Sequence, residues 1–191
     1  MADGAATRRR LLDAAAAEFA SFGLAGARVD RIADAAVANK AQIYAWFTSK
    51  DGLFDAVLAE LSTVVDLVAF DARDLAASAV RLYDAALDRP EIVLLATWAR
   101  LERVPAGDLL TGAAGDVEGR VADVAAAQRE GLVDPGLDPR DVYAMVVATA
   151  LTWGPSSPTV AASRHDDPTE HARRRTALAS IVARAFRPDP A

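Results

Sequence analysis

The chain has 191 residues, 52% of them hydrophobic, so it can bury a substantial core in one domain or two small ones. It contains no cysteine and only two histidines, which excludes disulfides and zinc–thiolate sites and predicts neither a metal centre nor a cofactor. The net charge of −6 argues against a uniformly basic, non-specific nucleic-acid binder.

A first helix is predicted to run to Phe22, where Gly23 ends it. Residues 28–50 then show two short helical patterns on either side of Val37-Ala38-Asn39, and Asn39 is a suitable N-cap for the second. Two such short helices cannot bury a core alone, so we expect them to pack on the first. The pattern predicts a three-helix, helix-turn-helix DNA-binding unit.

Several residues at fixed spacing stand out within this unit. They are the basic start Arg8 to Arg10, the Phe-x-x-x-Gly ending of the first helix (Phe19 to Gly23), Ile32-Ala33, and Tyr-x-x-Phe-x-x-Lys from Tyr44 to Lys50. With them, the stretch from Thr7 to Leu58 resembles the N-terminal domain of the tetracycline-repressor (TetR) family of bacterial transcription regulators. The family usually has glycine where Val37 and Ala41 stand here, and a β-branched residue is poorly suited to a turn that needs positive φ.

The rest of the chain continues as helical patterns separated by breakers. A long helix is predicted from near Lys50 to about Phe70, and others over 71–88, 91–102, 117–130 and 142–153, with a last one ending near Phe186. We therefore predict an all-α chain of about nine helices. Residues 1–50 would form the helix-turn-helix DNA-binding domain, and the resemblance assigns residues 51–191 to effector binding and dimerisation.

The third helix is the predicted DNA-reading element. Residues 1–51 carry seven basic and six acidic side chains, so the acidic excess lies in the rest of the chain. We expect Gln42 to pair with adenine, Lys40 to bind guanine or phosphate, Trp46 to contact sugar or a thymine methyl, and Ala41 to set how closely the helix approaches. The predicted phosphate contacts are Arg28, Asn39, Tyr44 and Lys50.

Three of these residues have a structural alternative. Tyr44 could complete the three-helix core, Trp46 could be half-buried packing, and Lys50 could be a solvated residue in the first turn of the next helix.

The helix predicted over 142–153 is apolar on nearly all sides and needs more cover than one small domain provides. The resemblance implies that the last two helices form a four-helix bundle with a second copy of the chain. The predicted interface residues are Val142, Met145, Val146, Leu178, Ile181, Val182 and Phe186. The alternative is that they form an internal core of the monomer.

The resemblance also implies a small-molecule pocket among the middle helices. Aromatic walls with a few polar groups are typical of ligand sites, although aromatic residues at helical spacing also serve as core. The candidate lining residues are Phe70, Tyr83, Trp98, Glu102, Tyr143 and Trp153. Glu102 beside Trp98 would favour a lipophilic cation, unless it is a solvated partner of Arg100 or Arg103.

The function that follows from the resemblance is a repressor that binds a palindromic operator as a dimer and is released by a small lipophilic ligand. The longest strongly apolar run is too short to span a membrane and the N-terminus lacks an apolar leader segment, so we expect a cytoplasmic location and no membrane partner. The helices with a buried pattern carry almost no nucleophiles or converging carboxylates, so we expect no enzyme. The alternative is a sequence-indifferent, architectural DNA-binding protein.

Overall fold

The computed structural model describes residues 2–66, 68–107, 109 and 116–188. Over this part of the chain it forms nine α-helices and no β-strand, which confirms the predicted all-α class. The helices are α1 (Ala2–Gly26), α2 (Val29–Ala35), α3 (Lys40–Phe47), α4 (Lys50–Asp66), α5 (Leu75–Asp88), α6 (Pro90–Glu102), α7 (Val117–Arg129), α8 (Pro139–Ala150) and α9 (Pro168–Ala185). None of these helices is long and apolar enough to cross a membrane.

The chain folds into two compact units, one of Met1–Val65 with Glu91–Gly115 and the other of Asp66–Pro90 with Asp116–Ala191. The first unit therefore contains nearly all of α4 and α6 in addition to α1, α2 and α3, whereas the predicted division lies after residue 50. The reason is apolar packing, because Phe54 of α4 and Leu95 of α6 lie fully buried in the same core as α1 to α3. Phe54 meets Phe19 of α1 edge to face, with ring centroids 5.0 Å apart.

The second unit is built from α5, α7, α8 and α9 around its own apolar core. The α8 helix ends at Ala150, earlier than predicted, and within this chain it buries only Val142, Val146 and Ala150. These residues are four apart, so they form one face of the helix, and the other faces of its apolar sequence stay partly or fully exposed.

The regular part of α1 ends at Gly23, as predicted, and the chain bends there before a short helical stretch that ends at Gly26. Gly23 has φ 68° and ψ −179°, a backbone conformation that is essentially confined to glycine. The bend directs the chain into the short connection that leads to α2.

Candidate nucleic-acid interface

The α3 helix has one buried and one exposed face. Ile43 and Phe47 are buried in the core of the first unit and hold the helix in place. Tyr44 and Trp46 are 45% and 39% exposed, so the alternative in which Tyr44 completes the core does not hold. The remaining predicted DNA-contacting residues are also on the surface: Arg28, Asn39, Lys40, Ala41 and Gln42 are exposed, and Lys50 is half-buried.

A reciprocal capping box holds the start of α3. The Asn39 Oδ1 accepts a hydrogen bond from the N–H of Ala41 at 2.8 Å, and the Gln42 Oε1 accepts one from the N–H of Asn39 at 2.9 Å. Asn39 is thus the N-cap, as its residue type indicated. The carbonyl oxygen of Gln42 thus accepts one hydrogen bond in the free protein, and bidentate pairing with adenine would use the same oxygen.

Lys40 is paired with an acidic residue of α2. Its Nζ donates to the Asp30 Oδ1 at 2.7 Å, and this hydrogen bond raises the pKa of Lys40 and lowers the pKa of Asp30. Both side chains are well exposed, so the pair adds little to stability and can exchange for a phosphate. The guanidinium of Arg28 forms no hydrogen bond or ion pair with the described residues, which leaves it available to a ligand.

Lys50 and Glu18 hold the connection between α1 and α2. The Lys50 Nζ donates to the carbonyl oxygens of Ala25 and Ala27 at 3.3 Å and 3.2 Å, so its charge is engaged within the protein rather than simply solvated. The Glu18 carboxylate accepts the N–H of Arg28 at 2.8 Å. Burial alone would raise the pKa of Glu18, but the hydrogen bonds from the side chain of Arg31 and the N–H of Arg28 lower it below its ordinary value.

The turn between α2 and α3 contains a strained residue. Val37 has φ 50°, the left-handed conformation that disfavours β-branched side chains. The Val37 N–H donates to Asp34 O at 3.1 Å and the Ala38 N–H to Ala33 O at 2.9 Å, the two bonds of a Schellman motif, in which the residue at this position is usually glycine. Arg10 supports the turn from α1, because its Nε donates to Ala36 O at 3.1 Å. The sequence alone did not reveal this role of Arg10.

A second strained turn joins α3 to α4. Thr48 has φ 67° and ψ −42°, and the N–H of Ser49 donates to Phe47 O at 2.7 Å, which makes a γ-turn of the rare positive-φ type. Gly52 lies against the same carbonyl, since a Cβ at this position would come within 2.2 Å of Phe47 O. The start of α4 therefore approaches the end of α3 too closely for any residue other than glycine at position 52.

These features form a helix-turn-helix followed by a helical unit, and two family models match the two parts. The model described as "Bacterial regulatory proteins, tetR family" matches residues 11–57, and the "Tetracyclin repressor-like, C-terminal domain" matches residues 74–184, more than half of the chain. The chain belongs to the TetR family. Members of this family are transcription regulators and not enzymes, in agreement with the function class predicted from the sequence.

Individual proteins and solved structures are similar to this chain. The HTH-type transcriptional repressor SCO4008 of Streptomyces coelicolor is 43% identical over 103 residues, which are 52% of this chain and 53% of the relative, so the match spans about half of that protein's length. The crystal structure of SCO4942 from Streptomyces coelicolor superposes with a TM-score of 0.80 at 39% identity, over 94% of this chain and 98% of that one. A TetR-family regulator from Pseudomonas syringae pv. tomato shares the fold, with a TM-score of 0.66 at 23% identity over 94% and 96% of the two chains.

The structure separates the predicted dimer residues of this TetR-family chain into two groups. Five of them are buried in the core of a single chain and cannot be covered by a partner: Val142, Val146, Leu178, Val182 and Phe186. The other two, Met145 and Ile181, are 54% and 50% exposed. The prediction chose the more regular apolar face of each helix, and that face serves the internal core of the second unit.

The predicted pocket residues are divided between the two compact units. Trp98 and Glu102 belong to the first unit, where Glu102 accepts the backbone N–H groups of Leu24 and Ala25 and, among the described residues, forms no ion pair with Arg100 or Arg103. Phe70 and Tyr143 pack edge to face at 5.3 Å against the core of the second unit.

Tyr83 and Trp153 line a common cavity, of about 250 Å³, in the second unit. Their ring centroids lie 6.0 Å apart. The Tyr83 hydroxyl is hydrogen-bonded to the Nδ1 of buried His171 at 2.8 Å, which fixes the ring at the cavity wall. The other lining residues are Ala86, Leu87, Pro90, Ala150, Gly154, Pro155, Ala162, Ser163 and Arg164.

Proposed function

We propose that this protein is a transcriptional repressor that acts in the cytoplasm, binds a palindromic operator as a homodimer and leaves it when a small lipophilic ligand binds. The observation that carries the proposal is the exposed row of polar and aromatic side chains on α3, from Lys40 to Trp46, opposite the buried Ile43. A short helix anchored by one face with its other face free is how helix-turn-helix proteins enter the major groove.

The proposal divides the DNA contacts between bases and phosphates. Gln42 reads a base after giving up its capping bond to Asn39, and Lys40 exchanges Asp30 for guanine or a phosphate. Arg28 is supported as a phosphate ligand because its guanidinium has no partner among the described residues. Lys50 must leave two backbone carbonyls to reach a phosphate, so in its present position it supports the α1–α2 connection.

Dimerisation is proposed through the outer faces of α8 and α9. A single helix-turn-helix reads few base pairs, whereas a two-fold dimer reads two half-sites about 34 Å apart or a multiple of that distance. The outer face of α8 presents Met145 with Ala144 and Ala148, and α9 has a shallow groove beside Ile181. The groove is lined by Arg173, Thr176, Ala177, Ser180, Ile181 and Arg184. The small side chains of Ala177 and Ser180 allow a second helix to approach closely.

The interface is tested with one charged substitution and a matched control. Met145→Glu should yield monomers in sedimentation equilibrium and lose operator binding, because it places a charge in the proposed apolar contact. Val160→Glu is the control, since Val160 has the same 54% exposure as Met145 but lies outside α8 and α9. Dimers of normal affinity with Met145→Glu would place the interface elsewhere.

The cavity beside Tyr83 and Trp153 is the proposed effector site. Its walls are mostly apolar, with Ser163 and Arg164 as the polar groups, which suits a small lipophilic ligand. Ala86→Phe should fill the cavity and abolish ligand-induced release while DNA binding persists. Ala85→Phe is the control, because Ala85 is also half-buried but does not line the cavity. Lipophilic compounds are screened first by thermal shift and then by release of bound DNA, which provides the ligand for this comparison. Normal ligand-induced release of DNA by Ala86→Phe would exclude the cavity as the effector site.

The whole proposal is tested by selecting bound sites from a random DNA pool with the purified chain. Enrichment of a palindrome with two half-sites supports a specific dimeric regulator. Binding with a steep salt dependence but no enriched sequence would instead indicate a sequence-indifferent, architectural protein. A folded dimer that retains no DNA would overturn the proposal.

A further inference from the structure

The bend of α1 at Gly23 leaves backbone groups without their usual helical partners. A bend interrupts the i→i−4 hydrogen-bond ladder, so carbonyl groups before it and N–H groups after it need other partners. Three of these groups, the carbonyl of Ala20 and the N–H groups of Leu24 and Ala25, are satisfied by two side chains of α6. Both helices belong to the same compact unit.

The two side chains bind backbone groups before and after the bend along the chain. Trp98 donates from its Nε1 to Ala20 O at 3.1 Å, before the bend. Glu102 accepts the N–H of Leu24 at 2.7 Å and that of Ala25 at 3.3 Å, after the bend. Trp98 and Glu102 are four residues apart, so they project from one face of α6.

Gly23 fits tightly beneath this pair. A Cβ at position 23 would lie 2.7 Å from the Trp98 Cε3 and 2.9 Å from the Glu102 Oε1. A larger residue would push both side chains away in addition to straining the positive φ. The contact therefore depends on glycine for close approach as well as for backbone conformation.

We propose that Trp98 and Glu102 act as positioning residues for DNA binding, by fixing the bend of α1 and hence the placement of the helix-turn-helix. We call them, with Gly23, the bend latch. The same stretch of backbone is also bound by Lys50 of α4 at Ala25 O and Ala27 O, so side chains of two helices, α4 and α6, hold the connection into α2. When this connection is held in one conformation, α2 and α3 stay in the arrangement that binds DNA. When it is loosened, only a fraction of the molecules has that arrangement, and the apparent DNA affinity falls in proportion to that fraction.

This inference rests on the proposed DNA-binding function and makes a prediction opposite to simple electrostatics. Glu102→Ala removes a negative charge, which by itself should strengthen binding to phosphates. Loss of the bend latch should instead weaken binding. We expect about a tenfold loss of operator affinity, the equivalent of one charge-assisted hydrogen bond.

The experiment uses three full-length variants, Glu102→Ala, Glu102→Gln and Trp98→Phe. Hydrogen exchange should become faster at Leu24 and Ala25 in Glu102→Ala, while the amide of buried Ile32 keeps its protection. Glu102→Gln retains one acceptor oxygen and should recover part of both the protection and the affinity. Trp98→Phe replaces the indole by a smaller aromatic ring and loses the bond to Ala20 O, and should weaken binding in the same direction.

The salt dependence of binding separates positioning from direct contact. The slope of log affinity against log salt should not change in any variant, because the number of phosphate contacts is the same. Unchanged or tighter DNA binding by Glu102→Ala, together with faster exchange, would overturn the positioning role, and unchanged exchange would overturn the bend latch itself. If the wild-type chain binds no DNA, the proposed function fails, and the exchange data still decide whether Glu102 holds the bend.

Discussion

Replacing Val37 with glycine should stabilise the protein although it removes a side chain. Val37 closes the Schellman motif at the end of α2 with φ 50°, and the residue is 83% exposed. The substitution therefore relieves backbone strain while giving up little buried surface. Its hydrogen-bond partners are unaffected, because the bonds from Val37 and Ala38 are made by backbone groups.

The size of the effect follows from three contributions. An L-residue in the left-handed conformation costs roughly 1–2 kcal/mol, and a β-branched residue lies at the upper end. Glycine loses about 0.5–1 kcal/mol more backbone entropy on folding, and the small buried part of the valine is worth about 0.4 kcal/mol. The net gain in the free energy of unfolding is about 0.5–1 kcal/mol, or a Tm higher by about 1–4 °C for a chain of this size.

Thermal unfolding followed by circular dichroism measures this gain, with all variants at one protein concentration because a dimer's Tm depends on it. Val37→Asn should fall between valine and glycine, since asparagine tolerates the left-handed region. Val37→Ala is the control that removes the branched side chain without relieving the positive φ. If Val37→Ala had a Tm as high as Val37→Gly, the argument from φ would be refuted. If Val37→Gly had a Tm below that of the wild type, backbone strain at Val37 would be refuted.

Three further predictions concern the same unit. Gly52→Ala should destabilise this unit by about 1–3 kcal/mol in denaturant unfolding, because the new Cβ would lie 2.2 Å from the carbonyl oxygen of Phe47 at the end of α3. A variant as stable as the wild type would contradict that close approach. Asp30→Asn should tighten operator binding more than Asp34→Asn, since only Asp30→Asn frees Lys40 from an ion pair. Fluorescence anisotropy at several salt concentrations compares the operator affinities of the two variants. Equal gains in affinity would mean that net charge alone matters. Gln42→Ala should alter base preference at one or two positions of the selected site, and an unchanged preference would assign base reading to another residue.

Much of the helix-turn-helix could be predicted because its determinants are local. The spacing of Ile32, Ile43 and Phe47 marks the buried faces of α2 and α3, and Asn39 caps α3 through its own side chain and adjacent backbone. The unusual valine at position 37 was also visible in the sequence, since positive φ is a property of the turn. What these side chains touch in DNA stays a prediction.

The tertiary structure alone decided which apolar faces meet. An apolar stripe shows that a helix is buried but not against what. The sequence therefore predicts α6 in the second domain, although Leu95 lies in the core of the first unit. For the same reason Val142 and Val146 were placed in a dimer interface, and the more exposed Met145 is left as the better candidate. Glu102 took an unforeseen role because its partners are backbone N–H groups near Gly23, 77 and 78 positions away in the chain. A backbone group released by a bend has no sequence signature, so only the folded chain shows which side chain satisfies it.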